Sequence, residues 1–283
     1  MKSFWVLVSG FCFAVMGVFV KLGINHFSSA ELVFYRSIIG VGITSAIMQV
    51  NGTGFRTAYL GGHVSRGAFG CIALVLYFYT ISILPLAMAV TLNHTAPIFF
   101  AILAPTVLAE RPNNQTMIAI LVGFVGVVLL LHPDTQQSQI WGCSIGLIVG
   151  FLVAIGYLFI RRLGAAGEPE SRTVFYYSLS CTIFSTAWAA LIGIHPITFD
   201  NFWIISGLGV SATVGQLAVT RAYKTGKSML TTSLTYVNVV FASLLGIALW
   251  NEVLPLISWI AFGLIISSGV LASTANLTKK QTA

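Results

Sequence analysis

The sequence predicts an all-α integral membrane protein, with ten transmembrane helices in two inverted five-helix repeats around a central cavity. Three observations predict it. Charged residues make up 7% of the chain and apolar residues 57%, with a mean hydropathy of +0.93, whereas water-soluble surfaces run at roughly 25–35% charge. The apolar residues form continuous runs of spanning length, not the alternating strands of about ten residues that build a barrel. The scarce charges also sort to one side when the runs are counted as ten. A soluble enzyme, a secreted disulfide scaffold and a disordered regulator are excluded by the same composition.

The first run, 3–20, follows Lys2 and ends without a convincing small-x-small cleavage site, so it reads as a retained span. Runs 32–50 and 67–84 come next, and only Pro85 separates the latter from the fourth, 86–109. Nine spans is therefore the alternative count. Runs 116–131, 140–160, 173–194, 202–219, 229–250 and 256–272 complete the ten. The fifth and tenth are the shortest and least polar, which places them against lipid. The other eight then surround the cavity.

Charge placement decides the count. With the N-terminus in the cytoplasm, Lys2, Arg56, Arg66, Arg111, Arg161, Arg162, Arg172, Arg221, Lys224, Lys227, Lys279 and Lys280 all fall on the cytoplasmic side. Of the 14 Lys and Arg, only Lys21 and Arg36 remain. Nine spans would invert everything after Pro85 and scatter these cations, so both termini are expected in the cytoplasm. The net charge of +7 then marks topology and contact with anionic lipid, not a nucleic-acid partner. Cys12, Cys71, Cys143 and Cys181 lie inside apolar runs and read as small packing residues, neither disulfides nor metal ligands.

The chain repeats after about 142 residues. Residues 87–111 read AMAVTLNHTAPIFFAILAPTVLAER and residues 228–252 read SMLTTSLTYVNVVFASLLGIALWNE. Gly126 and Gly269 open similar closing runs, and Phe34-Tyr35 match Phe175-Tyr176. Five helices per half make the second half, 135–283, enter the membrane opposite to the first, 1–134. Glu110 and Glu252 are then equivalent in sequence and emerge on opposite faces. Alternating access uses such inverted repeats, with a site near the midplane.

Lys21-Leu22-Gly23 closing the first helix, Arg36 in the second, and Pro97 and Glu110-Arg111 in the fourth complete a pattern. On a five-plus-five frame, it resembles the drug/metabolite transporter superfamily in its EamA-like branch, over nearly the whole chain. The resemblance implies an inner-membrane exporter of amino acids and other metabolites. Its nearest group, the YddG-like exporters, implies aromatic and other amino acids. Val239 stands where the first half has Pro97, so a hinge in the ninth helix is left open.

Intramembrane polar groups usually face the bundle interior, and the richest positions lie in the equivalent fourth and ninth helices. Asn93 and His94 fall near mid-span with Pro97 one turn on; Tyr236 and Asn238 fall near mid-span in the ninth. The repeat sets His94 opposite Tyr236, near the pseudo-twofold axis. A ligand-free interhelical hydrogen bond, worth about 0.6–2 kcal/mol, is the competing explanation. Pro97 removes a backbone donor, which makes either a hinge with a freed carbonyl or a plain kink. Tyr77, Tyr79, Tyr157, Trp188 and Gln216 supply an aromatic lining with one amide, suited to flat side chains and to an ammonium. An interfacial belt is the simpler reading of Tyr79 and Trp188. Lys21 reads as a snorkelling cation. Arg36 either pairs with Glu31 or meets a substrate carboxylate.

No Asp or Glu falls near the middle of a span, and His94 is the sole mid-span group titrating near neutrality. Facilitated or weakly coupled transport is expected. There is no GxxxxGK[ST] motif, so ATP does not drive it directly, and no cofactor is expected. Gly142-Cys143-Ser144-Ile145-Gly146 matches the G-x-S-x-G hydrolase elbow but lacks its strand-turn-helix setting. Gly142, Gly146 and Gly150 instead form a small-residue packing face. A channel would need a ring of charged or carbonyl-rich filter residues, and lipophilic-cation efflux would benefit from a buried carboxylate. The expected protein is a monomeric alternating-access carrier whose partners are a small molecule and the bilayer.

Overall fold

The computed structural model describes residues 4–84, 86–110, 112–131, 140–192, 195–226, 228–250 and 256–281. Lys2, Pro85, Arg111, Lys227 and Glu252, used in the sequence reading, lie outside them. Every regular element among the described residues is a helix: α1 (Phe4–Gly23), α2 (Ser29–Val50), α3 (Leu60–Ile83), α4 (Leu86–Asn93), α5 (Ala96–Val107), α6 (Asn114–Leu131), α7 (Ile140–Ala165), α8 (Glu170–Ile192), α9 (Phe199–Thr225), α10 (Ser228–Leu234), α11 (Val237–Trp250) and α12 (Leu256–Gln281). In hydrocarbon a helix satisfies its own backbone donors and acceptors, so long apolar runs fold this way. Among the described residues, six helical segments are long and apolar enough to cross a membrane: Phe4–Gly23, Ser29–Val50, Leu60–Tyr77, Ile140–Ala165, Asn201–Thr225 and Leu230–Leu249.

Two apolar runs are each interrupted mid-course by two non-helical residues, His94-Thr95 between α4 and α5 and Thr235-Tyr236 between α10 and α11. Both gaps are made by a threonine. The Thr95 hydroxyl donates to the Leu92 carbonyl (2.6 Å) and the Thr235 hydroxyl to the Thr232 carbonyl (2.7 Å). Each backbone N–H also tightens onto that same carbonyl, at 3.1 and 3.2 Å, in 3₁₀ fashion. Pro97 therefore sits in the first turn of a new helix, where its missing donor costs least. It still cannot donate to the Asn93 carbonyl four residues back. The second gap forms without a proline, which answers the question Val239 raised.

The two halves of the chain pack into each other. α1 lies along α9 and against α11, α7 along α3 and against α4 and α5, α2 on α8 and α9, and α6 on α12. A glycine lets a neighbouring helix come close to each gap. A methyl at Gly150 of α7 would run into the Thr95 hydroxyl and come within 3.0 Å of the Leu92 carbonyl, at the first gap. A methyl at Gly10 of α1 would lie 3.3 Å from the Asn238 nitrogen, at the second. α6 and α12 close on each other through Gly126, Ala261 and Ile265, leaving Ile118, Leu121, Val125, Trp259, Ile260 and Ile266 exposed on the bundle's outside. That is the peripheral place expected of them.

Arg221 of α9 lies 4.5 Å from the ring centroid of Trp5 in α1, so α9 ends beside the start of α1, at what we term the near end. There Arg161 binds Glu110 after α5 (3.0 Å) and the Tyr223 and Lys224 carbonyls of α9 (3.4 and 3.2 Å). Glu168 gathers the Thr57 hydroxyl (2.7 Å), His63 Nε2 (3.2 Å) and Arg172 (3.0 Å). At the far end, Glu31 caps α2 through Ser28 and also holds the backbone and imidazole of His195, which precedes α9.

Candidate substrate site

The two gaps meet in the core. His94 and Tyr236 place their rings 6.1 Å apart, centroid to centroid, with 7% and 0% exposure. The pairing follows the sequence repeat. Tyr236 fits because α6 offers Gly123 beneath its ring, where a methyl would lie 2.5 Å from Cδ2. Its hydroxyl is buried without a hydrogen-bond partner among the described residues, as is Asn238 Oδ1 two residues on. Buried polar atoms are nearly always satisfied, so these two groups are hydrogen-bonding positions with vacant valence among the described residues, and Pro97 deprives the Asn93 carbonyl of its usual helical donor. Asn93 itself is half-buried on the other side of the gap.

An aromatic stack leads from this centre toward the near end. Tyr157 of α7 stacks on Tyr223 of α9 at 4.6 Å and 21°, and Phe100 of α5 packs on Tyr223 at 5.5 Å. The Tyr223 hydroxyl shares a 3.0 Å hydrogen bond with Thr232 of α10. Sequence reasoning selected Tyr157 but missed Tyr223, because Arg221 and Lys224 on either side make it look like a membrane-surface residue. Only its contacts on three other helices reveal a core position.

A third cluster lies on α2, α3, α8 and α9. Arg36 and Gln216, both selected from sequence, line one cleft with Ser37, Tyr177, Ser178, Ala212 and Thr213, with a volume of about 10 Å³, enough for about one water. The alternative pairing of Arg36 with Glu31 does not form, since Ser28 and His195 occupy that carboxylate. Arg36 is 8% exposed. Arg66, expected only as a cytoplasmic marker, is also interior at 5% exposure, with its guanidinium carbon 4.2 Å above the Tyr177 ring centroid.

The remaining candidates are not gathered here. Tyr79 is 45% exposed on the outer surface of α3, and Tyr77, two residues earlier, is half-buried on the opposite side of that helix. Trp188 is half-buried close to the far end of α8. Among the described residues no group of three His, Cys, Asp or Glu could hold a metal ion.

Comparison with known proteins bears on what such a site does. The model of the EamA-like transporter family matches residues 1–132 and again residues 140–274. An uncharacterized transporter of Helicobacter pylori is 30% identical over 97% of this chain and 95% of its own length. The pseudopaline exporter CntI of Pseudomonas aeruginosa is 28% identical, over 94% of this chain and 93% of its own. The riboflavin transporter of Vibrio cholerae is 21% identical over 94% and 90%. A solved crystal structure superposes with a TM-score of 0.85 at 16% identity, over 100% of this chain and 99% of that one, and so shares its fold.

Proposed function

Because the chain belongs to the EamA-like transporter family, we propose that it exports small metabolites, amino acids foremost, by alternating access through the His94–Tyr236 centre. The chain is a membrane transporter and not an enzyme. Ser144, in the hydrolase-like motif, donates its hydroxyl to the Ile140 carbonyl of its own helix (3.0 Å). Gly142 and Gly146 serve as seats for Leu84 and Leu92.

The proposal includes ten spans, with α4–α5 and α10–α11 each counted as one broken span, and inverted repeats at 1–134 and 135–283. Two facts favour it: the family model matches the chain twice, and α7 packs on the first gap as α1 packs on the second. The near end, which holds Arg56, Arg161, Arg162, Arg172, Arg221 and Lys224, is the cytoplasmic one, with both termini there. The membrane is the bacterial inner membrane. One chain supplies both gaps and the whole lining, so the monomer is the working unit.

One observation carries this reading: two broken helices from opposite halves meet at a buried His–Tyr pair, where two buried polar atoms have no partner among the described residues. Tyr236, Asn238 and the Asn93 carbonyl can bind an ammonium or amide, and the Tyr157–Tyr223 stack suits a flat side chain. Release to the cytoplasm is blocked while Arg161 ties α5, α7 and α9 together, so loading from that side requires its contacts to part. Lipophilic-cation efflux is less well served, since the described interior holds arginines and no mid-helix carboxylate. The relatives' names carry different cargoes, and amino acids rest on the resemblance and on the mixed polar and aromatic lining. The test is counterflow of a labelled amino-acid panel in proteoliposomes. Saturable exchange is expected; ion currents of large unitary conductance would instead make it a channel.

A further inference from the structure

We propose that Arg66 and Arg36 together form an anion seat that binds a carboxylate of the transported molecule; the inference rests on the transport reading above. Both guanidiniums are buried, on different helices, and both converge on Tyr177 of α8. Arg66 lies on the tyrosine ring, and Arg36 shares a cleft with Tyr177, Ser178 and Gln216.

None of the described carboxylates neutralises them. Glu31 is held by Ser28 and His195, Glu110 by Arg161, Glu168 by His63 and Arg172, and Glu170 by Lys224. Arg66 Nε is buried with no hydrogen-bond partner among the described residues. Two like charges buried without an anion are costly, and the cost falls when an anion enters. A guanidinium fork matches a carboxylate in two parallel hydrogen bonds. Tyr177 covers the guanidinium face through a cation–π contact, which leaves the donor edge for an anion.

The chain also makes room for this arrangement. A methyl at Gly70, one turn beyond Arg66, would collide with Arg66 Nη1 and come within 2.8 Å of Tyr177 Cε2. A methyl at Gly156 of α7 would lie 3.5 Å from the same nitrogen. A cation that only marked the cytoplasmic side would sit exposed, as Arg162 does; Arg66 instead has a seat that only a glycine at position 70 leaves open, with Gly156 in contact beside it. Gly156, in contact with Arg66, directly precedes Tyr157, which stacks on Tyr223, so the anion seat adjoins the aromatic lining. A zwitterion can place its carboxylate here and its other groups toward the two gaps.

The experiment measures thermal protection of the purified full-length protein by matched ligands. L-Phenylalanine and N-acetyl-L-phenylalanine carry the carboxylate, and L-phenylalaninamide lacks it; nicotinate and nicotinamide form a second pair. The wild type should be protected by at least one acid and bind its amide about tenfold or more weakly. Arg66→Gln and Arg36→Gln should bring the acid-to-amide ratio close to one, Arg66→Lys should restore part of it, and Arg162→Gln should leave it unchanged. Should Arg66→Gln fail to fold, Gly70→Ala reads the same ratio with the charge retained but displaced. Protection by amides equal to that by acids, a ratio indifferent to both arginines, or no protection by any acid overturns the proposal. His94→Ala separates the two readings: if it abolishes transport while the ratio ignores Arg66 and Arg36, only the anion seat fails. If the ratio depends on both arginines while His94→Ala transports normally, only the central site fails.

Discussion

The imidazole of His94 and the ring of Tyr236 stand 6.1 Å apart, each in a two-residue gap between helices and each at the matching place in its half of the chain. The relationship makes Tyr236 informative. Its hydroxyl is buried and has no partner among the described residues, so removing it relieves a desolvated group and costs none of their hydrogen bonds. Tyr236→Phe should leave thermal stability unchanged or raise it, by about 0–1 kcal/mol, while lowering transport severalfold. A loss of stability in detergent unfolding would show that the hydroxyl is structurally bonded, and the site would lose that member.

Gly150 should be the less forgiving of the two gap-facing glycines. Gly150→Ala pushes a methyl into the Thr95 hydroxyl and the Leu92 carbonyl, and overpacking of this kind costs about 1–3 kcal/mol. Gly10→Ala meets backbone at 3.3 Å and should cost less. Gly17→Ala, with nothing within 4 Å of the added methyl, should be nearly neutral. Melting temperatures of the three variants in one detergent test the order.

Arg161 joins three elements, but its ion pair is a minor part of the joint. The Arg161 and Glu110 side chains are both partly exposed, and such pairs couple by about 0.2–1 kcal/mol. A double-mutant cycle with Glu110→Gln and Arg161→Gln should give a coupling in that range. Arg161→Gln alone should cost more than Glu110→Gln, because it also frees the Tyr223 and Lys224 carbonyls. Equal single-mutant effects would contradict the clasp.

Glu168 gives the near end a pH dependence. Burial pushes its carboxyl up, but the Thr57 hydroxyl, His63 and Arg172 outweigh burial and hold it below the usual carboxylate range. Its folded-state value is therefore depressed, so its contribution is full above the unfolded-state value, roughly pH 4.3, and is lost as pH falls through the folded-state value. Glu168→Gln should be less stable than wild type at neutral pH, and the gap should close in acid. Stability curves that stay parallel down to the acid limit would remove Glu168 from this role.

The all-helical outline of the fold and the meeting of His94 with Tyr236 were legible in the sequence. Scarce charges fall at helix ends, and the repeat sets His94 against Tyr236, both of which are one-dimensional signals. The second gap was not legible from the proline pattern, since a threonine bonding three residues back makes it, and that depends on a side-chain rotamer. Arg66 was misread because its place near the start of a span suits a topological marker. Its burial comes from Gly70, Gly156 and Tyr177, two of them on other helices. Tyr79 was separable from Tyr77 by helix geometry alone, since residues two apart point to different sides.

The central claim is that cargo passes between the two helix gaps, and transport by folded His94→Ala and Asn238→Ala proteins tests it most directly. Purified variants with wild-type melting temperatures are reconstituted and assayed for uptake of the labelled amino-acid panel. The account predicts that each loses most of the saturable uptake, about tenfold or more if a buried polar contact to the cargo is removed. Wild-type uptake by both variants would contradict it and move the site away from the His94–Tyr236 centre.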